Sequence, residues 1–215
     1  MAKVLLGVTG SVAAVKVPQL FGLLREHGHA VKVVATDAAL YFFDPAGLEP
    51  RKGQRNRDVV VLDEDEWPGR GEGRRFQVGE TVPHIELRRW ADLLCVAPLD
   101  ANTLAKLANG LADTCLTCVW RAWEPARPVV LAPAMNTLMW EHPLTRRHLR
   151  QINADAGGDF IPETADVDEV LSMMNHTCPR LRVVAPVSKK LACGDVGVGG
   201  LAEPADIIAA VDALV

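Results

Sequence analysis

The chain has 215 residues, 49% of them apolar, and a formal net charge of −4 with no block of one sign. That length suits one domain with a sizeable core, and the charge argues against nucleic-acid binding, which concentrates basic side chains on one surface. Five cysteines, an odd number scattered from Cys95 to Cys193, do not read as a disulfide framework and point to a reducing, cytoplasmic setting. No segment approaches the roughly 20 apolar residues that span a bilayer, so no membrane partner is expected. Val4–Val8 is strand-length with no cleavage site behind it, which argues against a leader. The densest basic stretch, Arg51–Arg57, alternates with polar residues and reads as a solvated loop.

Lys3–Thr9 is a nearly continuous apolar run of strand length. A turn at Gly10–Ser11 leads into Val12–His27, whose apolar residues recur at helical spacing up to Gly28. Val31–Thr36 is a second apolar strand. This strand–helix–strand unit is the mark of a parallel sheet with helices on both faces, entered by a right-handed crossover. Val59–Leu62 is a candidate third strand, followed by the acidic run Asp63–Glu66, which reads as solvent-facing, and the loop-like Gly69–Arg75. His84–Trp90 reads as a short helix before a buried strand at Asp92–Ala97. Helix is expected over Ala101–Trp123 with a break near Gly110, strand over Pro128–Ala132, and helix again over Asn136–Asn153. A further helix at Val167–His176, a strand at Arg182–Ala185, a glycine-rich loop at Gly194–Gly200 and a helix at Pro204–Leu214 complete the chain. The pattern is that of a single α/β domain, a Rossmann-like doubly wound parallel sheet, whose ligands sit beyond the carboxyl ends of the strands.

The loops after those strands carry the candidate chemistry. Gly10-Ser11 between strand and helix start suits a phosphate, or is an ordinary turn with a serine N-cap. It is neither the G-x-G-x-x-G fingerprint nor a Walker loop. Asp100-Ala101-Asn102-Thr103 opens a helix and can cap it or hold a ligand. Pro133-Ala134-Met135-Asn136 ends a strand and presents an amide that can donate to or accept from a carboxylate or an amide. Cys193 stands beside Gly194 in the glycine-rich loop, where a thiol can donate a proton or be inert. His84 follows Pro83 and is either a general base or a structural side chain. Cys115-x-x-Cys118 has metal-ligand spacing, but it falls within a predicted helix and no second pair completes a site, so both read as small core residues and no metal is expected.

Taken together, five stretches resemble the homo-oligomeric flavin-containing cysteine decarboxylases over nearly the whole chain. They are Gly10–Ala14, His84–Asp92, Pro98–Lys106 with Thr117-Cys118, Pro133–Trp140 with its P-x-M-N-x-x-M-W pattern, and Lys189–Gly197 with Gly199 and Ala202-Glu203. The resemblance implies an FMN-binding fold assembled as a homotrimer with active sites between subunits. It implies that Gly10, Ser11 and Val12, with Ala38, Ala39 and Leu40, hold the FMN phosphate, and that Asp100, Ala101, Asn102, Thr103 and Ala134 complete the cradle. It places the substrate against Asn136 and Met139 and under a flap carrying Lys190, Leu191 and Ala192, and makes His84 and Cys193 the catalytic pair. The implied reaction is redox-neutral decarboxylation of 4′-phosphopantothenoylcysteine to 4′-phosphopantetheine, in coenzyme A biosynthesis, through a thioaldehyde and an ene-thiolate. Two departures stand out: alanines at Ala38 and Ala39 where serine is common, and a long stretch over 157–180 that reads as an insertion. The alternatives are a related flavoprotein acting on a peptide's C-terminal cysteine, or a non-catalytic regulatory flavoprotein subunit. Retention of His84, Asn136 and Cys193 speaks against the latter.

Overall fold

A computed structural model of the chain describes residues 1–49, 54–190 and 196–215, with Lys190 and Val196 described by their backbone alone. Six strands form the central sheet: β1 (Lys3–Val8), β2 (Ala30–Ala35), β3 (Val60–Leu62), β4 (Leu93–Leu99), β5 (Val129–Pro133) and β6 (Leu181–Val183). All pair in parallel, in the order β3-β2-β1-β4-β5-β6, so the winding reverses between β1 and β4. The two central strands read as unbroken apolar runs because helices cover both faces of the sheet. Their side chains alternate between two cores. Val4, Leu6 and Val8 of β1 join Leu93, Cys95 and Ala97 of β4 on one face, while Leu5 joins Leu94, Val96 and Leu99 on the other.

The first face is closed by α1 (Val17–Glu26) and, from the far end of the chain, α9 (Pro204–Asp212), through Leu20, Leu24, Ile207 and Val211. The second is closed by α3 (Pro83–Trp90), α4 (Ala101–Asn109), α5 (Cys115–Arg121), α7 (Pro143–Asp155) and α8 (Val167–Thr177). Besides short 3-10 turns, the described residues also form helix α2 (Asp63–Glu66), helix α6 (Thr137–Glu141), and an antiparallel hairpin of β7 (Val187–Lys190) with β8 (Val196–Gly200). Within 157–180, α8 packs against α7 and β6 and buries Val170, Leu171 and Met174 in the second core.

Four local expectations are corrected. The helix expected over Val12–His27 begins as a 3-10 turn, Val12–Lys16, and becomes α-helical only at Val17, because Pro18 has no N–H to continue an α ladder. The helix expected over Asn136–Asn153 divides at His142, which is extended (φ −62°, ψ 139°) as the residue before Pro143 must be. Val196–Gly200 is a strand and not a loop: β8 lies against the segment before α6, with Met135 N–H donating to the Gly199 carbonyl at 2.9 Å. A Cβ at Gly199, where φ is +139°, would collide with that same segment, so glycine is needed there.

The fourth correction is the largest. Asp63–Glu66 is not a solvent-facing run without partners but a helical turn that ties three elements together. Asp63 Oδ1 accepts the Cys115 N–H at 2.8 Å, at the start of α5, and Asp63 Oδ2 accepts the Asp37 N–H at 3.1 Å. Asp65 takes a two-point grip from Arg55, at 2.5 and 3.1 Å, and accepts the Leu62 N–H at 2.8 Å. Glu66 is buried against α3.

Burial pushes the Asp65 carboxyl up, but the Arg55 and Leu62 hydrogen bonds outweigh it and hold the group below the usual carboxylate range. The stability it contributes is therefore fully present above about pH 4 and is lost as pH falls through the lower folded value. Asp65→Asn is expected to cost about 1–3 kcal/mol at pH 7, read as a lower urea midpoint. The gap from wild type should narrow as pH is lowered below the ordinary carboxylate range; a gap that does not narrow would contradict the ion pair.

Candidate active site

The ends of β1 and β4 are joined by one buried hydroxyl. Thr9 Oγ1 donates to the Pro98 carbonyl at 2.8 Å and accepts the Asp100 N–H at 2.7 Å. This holds the Gly10 turn beside the start of α4. A Cβ on Gly10 would stand 2.7 Å from the Ala38 Cβ and 3.2 Å from Asp100 Oδ2, so only glycine permits three loops to converge here. Ser11 caps the first 3-10 turn by accepting the Ala13 N–H at 3.3 Å, and Asp100 caps α4 by accepting the Thr103 N–H at 2.6 Å. Asn136 caps α6 in the same way, its Oδ1 accepting the Leu138 N–H at 2.9 Å. The capping and ligand readings therefore coexist: each cap uses one oxygen and leaves the loop facing the space beyond the strand ends.

That space is a cleft of about 520 Å³. It brings together Gly10, Ser11, Val12, Asp100, Ala101, Asn102, Ala134, Asn136 and Met139 from the expected site. Ala38 and Thr103 face an adjoining hollow that shares Asp100 and Asn102 with the cleft. Ala39 is buried in the first core and Leu40 packs against it, so neither side chain lines either space. Leu191, Ala192 and Cys193 lie outside the described residues, as does the side chain of Lys190.

Sequence reasoning missed Lys16, Phe42 and Leu201, which line the cleft; Lys189 and Gly199, noted in the fifth stretch but given no role of their own, line it too. Lys16 lies on the 3-10 turn opened by the Gly10 loop, one turn beyond it, and this spacing was a usable signal. Lys189 comes from β7, with Nζ donating to the Leu201 carbonyl at 2.8 Å. Burial and the neighbouring Lys16 hold its ammonium below the ordinary lysine value.

His84 does not line this cleft. It starts α3 and forms a separate cluster with Glu66 and Cys118, in which the ligating atoms lie within 4.8 Å of one another. His84 Nδ1 is 2.5 Å from Glu66 Oε1, and the His84 backbone N–H donates to Glu66 Oε2 at 3.0 Å. Cys115 is wholly buried, as expected, and its thiol is pushed up by burial and by Glu66. Cys118 is only half-buried; its thiol is also raised, first by burial and then by the nearby carboxylates. Thus the second cysteine of the C-x-x-C is not a simple core residue.

Comparison with known proteins matches residues 1–215 to the flavoprotein family. The chain belongs to that family. Phosphopantothenoylcysteine decarboxylase of Mus musculus is 43% identical over 216 residues, covering 99% of this chain and 86% of the relative. Among solved structures, a PPC decarboxylase with a cysteine-to-serine mutation, complexed with pantothenoylaminoethenethiol, superposes with a TM-score of 0.75 at 39% identity, covering 98% of this chain and 96% of that one. The FMN binding protein AtHal3 gives 0.71 at 39% identity, covering 98% and 95%.

The flavoprotein cleft suits FMN on its own geometry. Val12 and Met139 expose apolar surface to it, Phe42 adds a ring, and Lys16 and Lys189 supply its cationic groups. The glycine turn lets backbone approach an anion closely. Thr9→Val, nearly isosteric, orphans the Asp100 N–H and leaves the Pro98 carbonyl only the residue-9 backbone N–H at 3.3 Å, and it is expected to cost about 1–3 kcal/mol of stability. FMN affinity should weaken with it, because the Gly10 loop and the α4 start lose their common tether. Flavin retention on gel filtration and a thermal melt measure both; unchanged retention with a lowered melt would show that the tether does not shape the cleft.

Proposed function

We propose that this flavoprotein decarboxylates 4′-phosphopantothenoylcysteine to 4′-phosphopantetheine with FMN as cofactor, a step of coenzyme A biosynthesis. The observation that carries the reading is the cleft at the reversal of winding, where Gly10, Asp100, Asn136 and Met139 converge. The curated relatives named for this reaction extend over nearly all of the chain. A saturated cysteine amide offers no place for the electrons left when CO₂ departs, and bound FMN supplies that sink by accepting electrons from the CH₂–SH group.

The chain's own residues orient the substrate and move protons. Asn136 lines the cleft, where its amide can pair with the carboxylate or amide of the substrate, and its Oδ1 caps α6. Met139, 54% exposed, packs alongside. His84 acts as base or electrostatic partner in oxidation of the thiol, giving a thioaldehyde from which CO₂ is lost. Cys193 then protonates the ene-thiolate at carbon, and return of the two electrons taken from the CH₂–SH group would leave the saturated thiol of the product. A cysteine-to-serine PPC decarboxylase complexed with an ethenethiol is what a missing proton donor would leave behind, and it supports this role for Cys193.

His84 and the cleft occupy separate parts of one chain, so the reading further includes a homotrimer, with His84 reaching a cleft of the adjacent copy. Exposed apolar side chains at Val12, Val15, Tyr41 and Leu138 around the cleft support such a contact. The setting is cytoplasmic; among the described residues no helix is long and apolar enough to cross a membrane. The peptide-directed and regulatory alternatives have no observation that favours them.

His84→Asn is expected to abolish flavin reduction by substrate, followed as bleaching of the flavin absorbance. Cys193→Ser should still reduce flavin and release CO₂ but stop at the ene-thiol. Co-expression of His84→Asn with Asn136→Asp, each inactive alone, should restore about a quarter of the sites if the two residues meet across copies. No recovery, with both chains present in one oligomer, would refute the shared site; normal turnover by Cys193→Ser would refute its proton-donor role.

A further inference from the structure

Glu66 is a buried carboxylate that faces His84 and the Cys115 and Cys118 thiols. Its side chain is 4% exposed, against 22% for that of His84. Both of its oxygens reach that residue: Oε2 accepts the His84 backbone N–H at 3.0 Å, and Oε1 lies 2.5 Å from His84 Nδ1, while the Cys115 and Cys118 thiols stand against the same carboxylate. A grip on both backbone and ring fixes the imidazole's rotamer as well as its position. An ionised carboxylate only accepts hydrogen bonds, so the atom facing it must carry the proton. In a neutral ring facing an ionised Glu66 the proton is on Nδ1, which leaves the lone pair to Nε2 on the opposite edge.

We propose that Glu66 is a positioning residue for His84: it selects the Nδ1–H tautomer, aims Nε2 away from α2, and stabilises the imidazolium formed when Nε2 takes a proton. The inference rests on the role given to His84 above. In the proton step, the S–H bond of the substrate breaks, the Nε2–H bond forms, and the electron pair stays on sulfur. The positive charge appears on a ring already hydrogen-bonded to a carboxylate, which lowers the cost of that transfer.

The placement of Glu66 depends on the anchoring of α2. It ends α2, whose preceding residues are anchored by Arg55 to Asp65 and by the Cys115 N–H to Asp63. Cys118 closes the other side of the cluster. A capping role for α3 would account for Oε2 alone, and a glutamine would serve it equally. The contact of Oε1 with the ring is what a cap does not need.

Glu66→Gln separates the two roles. With its carbonyl oxygen kept on the His84 N–H, the amide N–H₂ faces Nδ1 and must donate to it. That moves the ring proton to Nε2 and removes the lone pair from the reacting side. The FMN-loaded variant is expected to reduce its flavin on the order of 10²-fold more slowly than wild type with 4′-phosphopantothenoylcysteine, with KM little changed. In ¹⁵N-histidine NMR of the FMN-loaded proteins, His84 should show the Nδ1–H tautomer in wild type and the Nε2–H tautomer in Glu66→Gln. An Nε2–H tautomer in wild type would overturn the inference even if the variant failed to fold. A variant that reduces flavin at the wild-type rate, while His84→Asn does not, would overturn it and leave the role of His84 intact. Full-rate reduction by His84→Asn would remove that role, and with it the inference.

Discussion

The site depends on a buried threonine where the sheet changes direction. Strands β1 and β4 are neighbours whose following helices pass to opposite faces, and without a tether their loops would diverge into solvent. Thr9, with no exposed surface, bonds to both sides of the β4 exit, at Pro98 and at Asp100. That fixes the distance between the Gly10 turn and the first turn of α4. Gly10 then has room for nothing larger than hydrogen, and the closeness that excludes a side chain is what lets backbone reach a ligand.

A second tether acts at the β3 edge of the sheet. The acidic turn α2 takes Arg55 on one side, the Cys115 N–H on another and His84 on a third. It converts β3, a strand of three residues, into a support for α3 and α5. The two tethers serve different chemistry. The first shapes an apolar cleft with cationic groups, suited to an aromatic, phosphorylated cofactor; the second holds a titratable ring against a carboxylate, suited to moving a proton.

The doubly wound sheet was legible because its central strands are continuous apolar runs and its helices carry a regular apolar stripe. The cleft was legible through the loops that follow those strands. The divisions at Pro18 and Pro143 follow from proline chemistry and were open to a closer reading. The partners of α2 were not. Asp65, Glu66 and Asp63 bond to residues 10, 18 and 52 positions away, and four successive acids look solvated until the fold brings a guanidinium and two helix N-termini to them. Residues of β7 and β8 were hidden for the opposite reason: glycines that resemble loop punctuation stand where a strand presses on Met135 and Thr137 and leaves no space for side chains. The side chains of Ala39 and Leu40 turn to the core, which leaves backbone to meet a ligand at that segment, and a resemblance does not say which way a side chain points.

The most direct test of the functional account is turnover by the purified, FMN-loaded protein, given 4′-phosphopantothenoylcysteine without nicotinamide or added metal, with CO₂ and product followed by mass spectrometry. The account requires one CO₂ released for each 4′-phosphopantetheine formed, over many turnovers, with the flavin spectrum oxidised once substrate is exhausted. A yellow protein that leaves this substrate untouched would contradict it.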